Sequence, residues 1–233
     1  MGYYGWYFDY YYVILVVPVF ILSLIIQSKL KSTYKKYSQI GNARRITGAQ
    51  AAEMVLRYYN VQDVRIERIG GSLTDCYDPV NKVIKLSDGV FNSSSIAAVG
   101  IACHEAGHAA QHAEKYVPIR VRNFILPVCN IGSHLSVPLM LIGMFLSIPQ
   151  LVWIGIGFFA FTSVFQFITL PVEFNASNRA LHVVEATGIL SYEEKRGAGK
   201  VLKMAAMTYV AALAVSLAQL LRLILRFGGN RRR

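Results

Sequence analysis

Long apolar runs separate the charged segments of this chain. Residues 10–28 contain no charged side chain, and residues 123–172 form a run of fifty positions without Lys, Arg, Asp or Glu. Because a helix needs about 20 apolar residues to cross a bilayer, the first run predicts one membrane span. The second run predicts two spans with a tight reversal near residues 147–150, where Ser and Pro favour a turn.

A further apolar stretch covers residues 204–221 and continues through Arg222 and Arg226 to a basic tail at residues 231–233. Two arrangements remain open for it. It crosses the bilayer as a fourth span, or it lies along the interface with its arginines reaching water. A crossing is favoured, although it places the basic tail outside the cytoplasm, against the positive-inside rule for cations that flank membrane spans.

The flanks of the first apolar run indicate its orientation. Tyrosines and Trp6 precede it, as in the aromatic belt of a membrane interface, and it lacks the features of a cleaved signal peptide. By the positive-inside rule the flank that follows is cytoplasmic. That flank carries a set of cations with no acid among them: Lys29, Lys31, Lys35, Lys36, Arg44 and Arg45.

The segment between the first and second apolar runs has the pattern of a small soluble domain. Thr47 and Gln50 have the spacing of a capping box before an apolar helical stripe. Residues 64–69 and 83–86 alternate between apolar and polar positions and predict two strands.

Two more helix starts follow from local signals. Asn92 or Ser93 can cap a long helix that ends near Lys115, before Pro118. Pro171 suits the first turn of another helix.

Composition narrows the class of protein. Hydrophobic residues make up 54% of the 233 positions and charged residues only 16%, whereas soluble domains average about 25% charged. An ordinary soluble globule and a disordered chain are therefore disfavoured. The net charge of +11 does not indicate a nucleic-acid partner, because the cations cluster beside the apolar runs. Cys76, Cys103 and Cys129 lack the spacing of a disulfide framework or a zinc knuckle.

The segment His104-Glu105-Ala106-Gly107-His108 has the spacing of a metal-binding helix. Two histidines four positions apart lie on the same face of a helix, so both imidazoles can bind one ion. The glutamate between them can reach a metal-bound water, which zinc makes acidic enough to lose a proton near neutral pH. The motif therefore predicts His104 and His108 as Zn²⁺ ligands and Glu105 as the general base.

A catalytic zinc site needs a third protein ligand. His112 lies one turn further along the same helix, where ligands diverge, so it is interpreted as a neighbour of the site. Glu173 is the better candidate, because two membrane crossings return it to the side of the histidines. The residues alone leave open whether Glu173 binds the metal or is a solvated carboxylate near a helix N-terminus. His182 could donate a hydrogen bond to an oxyanion, but a plain packing role is favoured.

Three segments carry a resemblance to a known family. Residues 75–79, the histidine motif, and residues 171–177 with Arg179 and Ala180 are similar to the YugP-like neutral zinc metallopeptidases of bacterial membranes. The similarity covers nearly the whole chain. More distantly, the Glu-x-x-Ala spacing that begins at Glu173 resembles the HtpX and CAAX prenyl protease clan, in which this glutamate is the third zinc ligand.

The resemblance implies that Glu173 is the third Zn²⁺ ligand. Ser177 stands where the wider clan has an aspartate, and its hydroxyl can hydrogen-bond a ligating histidine but supplies no charge. The resemblance also implies that a peptide lies as an extended strand against an edge strand beside the site. Residues 83–86 are the candidate for that edge.

The fold class expected from these observations is a mainly α, multi-pass membrane protein with a small cytoplasmic zincin-like α+β domain that carries the HExxH helix. The expected segments are an N-terminal transmembrane anchor (1–28), the zincin-like domain (29–122), a two-span hairpin (123–171), a helix with the third ligand (172–203), and a hydrophobic helix with a basic tail (204–233).

The predicted activity is zinc-dependent endopeptidase hydrolysis at the cytoplasmic face of the cell membrane. Its partners would be a peptide or protein substrate and the lipid bilayer, and an oligomer or a regulatory membrane partner is compatible with the sequence. The alternative is a non-catalytic membrane adaptor or metal-binding protein that keeps the site for structure. A metal permease is disfavoured, because residues 123–172 contain no acid.

Overall fold

The computed structural model describes residues 9–228. Trp6, the tyrosines before Asp9 and the basic tail at residues 231–233 lie outside the described residues. The elements, in chain order, are a π-helical turn (Tyr12–Val16), α1 (Val17–Ser38), α2 (Gly48–Tyr58), β1 (Arg65–Ile69), β2 (Cys76–Asp78), β3 (Val83–Ser87), α3 (Asp88–Phe91), α4 (Ile96–Ala113), α5 (Val117–Phe145), α6 (Pro149–Thr187) and α7 (Tyr192–Gly228).

Four helical stretches among the described residues are long and apolar enough to cross a membrane: Tyr12–Ser38, Val117–Phe145, Pro149–Thr187 and Tyr192–Gly228. Only 17% to 22% of each apolar window is buried, and side chains such as Phe124 and Phe145 are 82% and 90% exposed. Exposed apolar surface on this scale is typical of a contact with a membrane or with another protein. The predicted apolar helices are therefore confirmed, and the predicted reversal between the second and third lies at residues 146–148.

The chain divides into two compact units. One, here called the apolar unit, is drawn from Met1–Ile26, Val121–Thr169 and Thr208–Arg233. The other, here called the mixed unit, comprises Gln27–Arg120 and Leu170–Met207. The division into five segments made from the sequence stays a prediction.

An ion cluster joins the beginning and the end of the apolar unit. The Asp9 carboxylate accepts hydrogen bonds from Arg222 Nε at 2.8 Å and Nη2 at 2.5 Å, and it also pairs with Arg226. Burial alone would raise the pKa of the Asp9 carboxyl, but these two guanidinium groups outweigh it and lower the pKa below its usual value. Asp9, which precedes the first apolar stretch, thus lies beside Arg222 and Arg226, which follow the last one.

The sheet of the mixed unit has the strand order β1-β3-β2, with β3 parallel to β1 and antiparallel to β2. Both predicted strands are confirmed, but β3 is the central strand, and Ile84 and Leu86 are fully buried. The assignment of residues 83–86 as the edge strand was therefore wrong. Strand β2 was not predicted, because three residues are too few to show an alternating pattern.

Helices α2 and α4 of the mixed unit begin at polar caps. Thr47 and Gln50 form the predicted capping box, with Gln50 N donating to Thr47 Oγ1 and Thr47 N donating to Gln50 Oε1. Helix α4 begins later than predicted, because Ser95 rather than Asn92 or Ser93 is its cap and accepts from Ala98 N at 3.2 Å. Asn92 instead ends the short helix α3.

Helix α6 runs unbroken for 39 residues, with Pro171 inside it. The prediction that Pro171 begins a new helix was wrong. Proline removes one backbone donor, which long membrane helices tolerate, and this proline is exposed, so its ring faces away from the packed side. As a result Glu173 and Ser177 lie one turn apart on the buried face of a single helix.

Helices α4 and α6 approach each other at Gly107. A Cβ added to Gly107 would lie 2.7 Å from the backbone oxygen of Ala176, a distance that requires the helices to move apart. The packed face of α4 consists mainly of alanine, glycine and valine, and these small side chains allow close backbone contact.

We expect Gly107→Ala to lower the thermal stability of the purified protein in detergent, by about 1–3 kcal/mol, because overpacking of a rigid contact is costly. Gly157→Ala is the matched control, since Gly157 lies on α6, the helix that Gly107 contacts, and an added Cβ there meets nothing within 4 Å. Equal melting temperatures for the two variants would contradict this account of the packing.

Candidate metal centre

His104 and His108 lie one turn apart on α4 and share a face, as the motif spacing predicts. Their ring centroids are 4.7 Å apart with an interplanar angle of 82°. Their side chains are 14% and 11% exposed. The two imidazoles are therefore adjacent and largely shielded from solvent.

Glu173 on α6 faces both rings. Its Oε2 lies 3.3 Å from His104 Nε2 and 3.6 Å from His108 Nε2, and its side chain is 4% exposed. The interpretation of Glu173 as a solvated carboxylate at a helix N-terminus is therefore wrong. Among the described residues, these three form a group whose ligand atoms all lie within 4.8 Å of one another.

The distances fit a zinc ion. Ligands bound to Zn²⁺ at about 2.0–2.2 Å in a tetrahedron are roughly 3.3–3.6 Å apart, which matches the two Nε2 to Oε2 separations. Two imidazoles and one carboxylate also form a ligand set used by catalytic zinc sites, which keep the fourth position for water or substrate.

The second nitrogen of each imidazole is hydrogen-bonded away from the cluster. His104 Nδ1 lies 3.1 Å from Ser177 Oγ, and His108 Nδ1 lies 3.0 Å from Gln111 Oε1. The serine predicted to support a ligand is thus beside His104. A partner on Nδ1 fixes the ring and leaves Nε2 facing the centre of the cluster.

The orientation of Gln111 fixes the tautomer of His108. The Gln111 amide nitrogen donates to the Val172 carbonyl oxygen at 2.8 Å and to Asn175 Oδ1 at 3.0 Å. Because that nitrogen faces two acceptors, Gln111 Oε1 faces His108 and must accept a proton from Nδ1. Neutral His108 then carries a lone pair on Nε2, as a metal ligand requires.

Asn175 is oriented in turn by Arg179. Arg179 Nε donates to Asn175 Oδ1 at 2.7 Å, and since arginine has no acceptor, the oxygen of the Asn175 amide must point toward it. Arg179 Nη1 pairs with Glu114 Oε2 at 2.6 Å. The Arg179–Glu114 ion pair thus orients Asn175, Asn175 and the Val172 carbonyl orient Gln111, and Gln111 orients the His108 ring.

The surroundings of the cluster favour positive charge. Burial alone would lower the pKa of the His108 imidazole, but the hydrogen bond and charge of Glu173 and the charge of Glu105 outweigh it and raise the pKa. The carboxylates of Glu173 and Glu105 thus favour a positive charge beside them.

Glu105 lies close to the cluster without being part of it. It is 9% exposed, and its charge helps to raise the pKa of the His108 imidazole. Partial desolvation, followed by the charge of Glu105, also raises the pKa of the Cys76 thiol on β2. The carboxylate therefore lies near both the imidazole pair and the edge strand β2.

The remaining candidate residues lie outside the three-residue group. The His112 ring packs against Tyr77 at 5.5 Å between centroids. His182 is exposed and its Nε2 lies 3.2 Å from the Tyr58 hydroxyl. Cys103 is buried, and burial raises its pKa to about 12, which agrees with a packing role.

The sequence analysis missed the roles of Gln111, Asn175 and Arg179. Gln111 lies three residues after His108, so both share one helix face, and this spacing was an available signal. The four-residue spacing of Asn175 and Arg179 was a further signal. The prediction that Glu173 joins the two histidines implied that the two helices meet, but it did not extend to these polar neighbours.

We expect Gln111→Leu to weaken zinc binding about 10- to 100-fold, because loss of a hydrogen-bond partner to a ligating histidine has effects of this size. Competition with a chromophoric chelator measures the affinity in detergent. The same change at the exposed Gln39 is the control. Unchanged affinity in Gln111→Leu would show that the Nδ1 contact does not orient His108.

Comparison with known proteins agrees with the chemistry of this site. The sequence profile of the family described as "Putative neutral zinc metallopeptidase" matches residues 12–228. The Bacillus subtilis (strain 168) protein named "Putative membrane protease YugP" is 42% identical over 220 residues, which cover 94% of this chain and 98% of that protein. No solved structure matches the chain, and the more distant likeness to the HtpX and CAAX clan stays a prediction. The chain belongs to the neutral zinc metallopeptidase family that this profile describes.

Proposed function

We propose that this protein is a membrane-bound, zinc-dependent endopeptidase that hydrolyses peptide bonds. The observation that carries the proposal is the convergence of two imidazole Nε2 atoms and one buried carboxylate oxygen at separations of 3.3 Å and 3.6 Å. The adjacent Glu105 carboxylate supports it. The relative named as a membrane protease supports it independently.

His104, His108 and Glu173 would hold Zn²⁺ in this mechanism. Zinc, when bound, would polarise the scissile carbonyl and lower the pKa of a coordinated water towards neutrality. Glu105 accepts a proton from the water as its oxygen bonds to the carbonyl carbon. Glu105 then delivers that proton to the amide nitrogen as the carbon–nitrogen bond breaks, which regenerates the carboxylate.

The substrate strand is proposed to pair with β2. Strand β3 is central and has no free edge, whereas β2 is an edge strand of the sheet. The Cys76 thiol of β2 is within electrostatic reach of Glu105, and Tyr77 of β2 packs on His112 of α4. An extended peptide hydrogen-bonded along β2 would therefore pass beside the proposed base.

We expect Glu105→Gln to keep zinc at the wild-type level and to lower peptide hydrolysis by about 10²- to 10⁴-fold, the usual contribution of a general base. Bound zinc is measured on the purified protein. Hydrolysis is measured as new peptide N-termini in cells that produce the wild-type or variant chain.

Glu193→Gln is the matched control, because Glu193 is exposed at the start of α7, and it should leave the pattern of termini unchanged. If wild-type and Glu105→Gln cells show the same termini while zinc is bound, the endopeptidase proposal is wrong. The adaptor alternative would then be favoured, because it needs the metal site but no base.

The proposed location is the cell membrane, with the metal centre on the cytoplasmic side. The cations that follow the first apolar run support this orientation through the positive-inside rule. The ion pair between Asp9 and Arg222 supports a full crossing by α7. Asp9 precedes the first apolar stretch and Arg222 follows the last one, so the two residues would lie at the same face of the bilayer.

A crossing by α7 predicts that alkaline phosphatase fused after residue 228 is active outside the cytoplasm, while the same enzyme fused after residue 45 is inactive. Asp9→Asn should reduce the first activity, because Arg222 and Arg226 lose the carboxylate that compensates their charge. A phosphatase that is inactive at both positions would show that the end of α7 returns to the cytoplasmic face.

A further inference from the structure

A cavity lined by lysines lies between α1 and α7 in the mixed unit. Its volume is about 590 Å³, within the range of roughly 300–1,000 Å³ that small-ligand sites occupy. One short segment of each helix lines it: Ser32, Thr33, Lys36 and Tyr37 from α1, and Lys200, Lys203 and Met204 from α7.

The cavity lies next to a close contact between the two helices. A Cβ added to Gly197 would be 2.7 Å from Cε1 of Tyr37, so the tyrosine ring rests on the backbone of α7. This contact fixes the spacing of the helices at one end of the cavity. The three lysines, all of them exposed, line one open cleft between the helices.

The lysine charges are not compensated by the nearby carboxylates. No ion pair within 4.0 Å involves Lys36, Lys200 or Lys203 in the part of the chain that the structure describes, residues 9–228. The acids at the beginning of α7 are engaged elsewhere. Glu193 pairs with Arg196, and Glu194 accepts from the backbone N–H groups of Ala43 and Ser191.

The cavity lies at the level of lipid headgroups. The charge-free part of α1 ends at Ser28 and that of α7 begins at Met204, so Ser32 and Lys200 each lie about 6 Å beyond an apolar segment at roughly 1.5 Å per residue. The headgroup layer of each leaflet is about 5–7 Å thick. Longer lysine side chains reach back into this layer.

We propose that this cavity binds the phosphodiester headgroup of an anionic phospholipid. Lys36, Lys200 and Lys203 would contact the phosphate oxygens, Thr33 would add a hydroxyl, and Met204 and Tyr37 would pack against the glycerol and upper acyl carbons. Basic pockets between membrane helices commonly bind anionic lipids. The proposal does not depend on the metal centre or on peptidase activity.

The test is a lipid titration of the purified full-length protein in detergent, followed by native mass spectrometry. The probes are cardiolipin, phosphatidylglycerol, phosphatidylcholine and the soluble glycerol 3-phosphate. We expect the two anionic lipids to be retained and the zwitterionic lipid and the soluble phosphate ester not to be. The triple change Lys36→Gln, Lys200→Gln and Lys203→Gln should weaken retention on the order of 100-fold, roughly fivefold per charge.

Two matched variants keep the result interpretable. Changing Lys29, Lys31 and Lys35 to Gln removes the same charge from exposed positions on α1 that do not line the cavity, and it should leave retention within about twofold. Changing the three cavity lysines to Arg should preserve binding. The proposal is overturned if both Gln variants lose retention equally, if phosphatidylcholine binds as well, or if glycerol 3-phosphate competes as effectively as the lipids.

Discussion

A buried carboxylate facing two imidazoles is the constraint on which the rest of this structure depends. The Nδ1 of His108 donates to Gln111, so the Nε2 of that neutral ring turns a lone pair toward Glu173, and the Nε2 of His104 lies 3.3 Å from the same carboxylate oxygen. A lone pair that faces a carboxylate is repelled by it, and a buried carboxylate without a partner costs several kcal/mol. A cation held between these groups would remove both costs.

Helices α4 and α6 pack closely because small residues allow their backbones to come into contact. Gly107 lies between the two histidines on α4 and contacts the Ala176 backbone, while Glu173 and Ser177 flank that contact on α6. Ligands and packing surface therefore belong to the same turns of helix. Gln111 extends the arrangement by bonding across to Val172 and Asn175, so the polar groups that orient His108 also join the two helices.

Features of the fold that depend on neighbouring residues were mostly predicted from the sequence, whereas features that depend on long-range contacts mostly were not. The Thr47–Gln50 capping box and the two alternating strands depend on neighbouring residues, and each was predicted from spacing. The central position of β3 depends on β2, which is too short to have a pattern. Pro171 indicated a helix start because proline disfavours a helix interior, but an exposed proline in a long apolar helix is tolerated. The meeting of Glu173 with His108 spans 65 positions of sequence. The two predicted membrane crossings made Glu173 a candidate, and the resemblance to a family implied its role as a ligand.

In the proposed topology, charge would explain how the last apolar helix crosses against the positive-inside rule. Six cations follow the first apolar run before the first acid, and Lys200 and Lys203 stand at the corresponding end of α7. The described arginines at the opposite end, Arg222 and Arg226, both pair with Asp9. A paired arginine is cheaper to hold away from the cytoplasm than a free one. In this proposed topology the majority of cations would set the orientation, and Asp9 would compensate the charge of the two arginines at the other end.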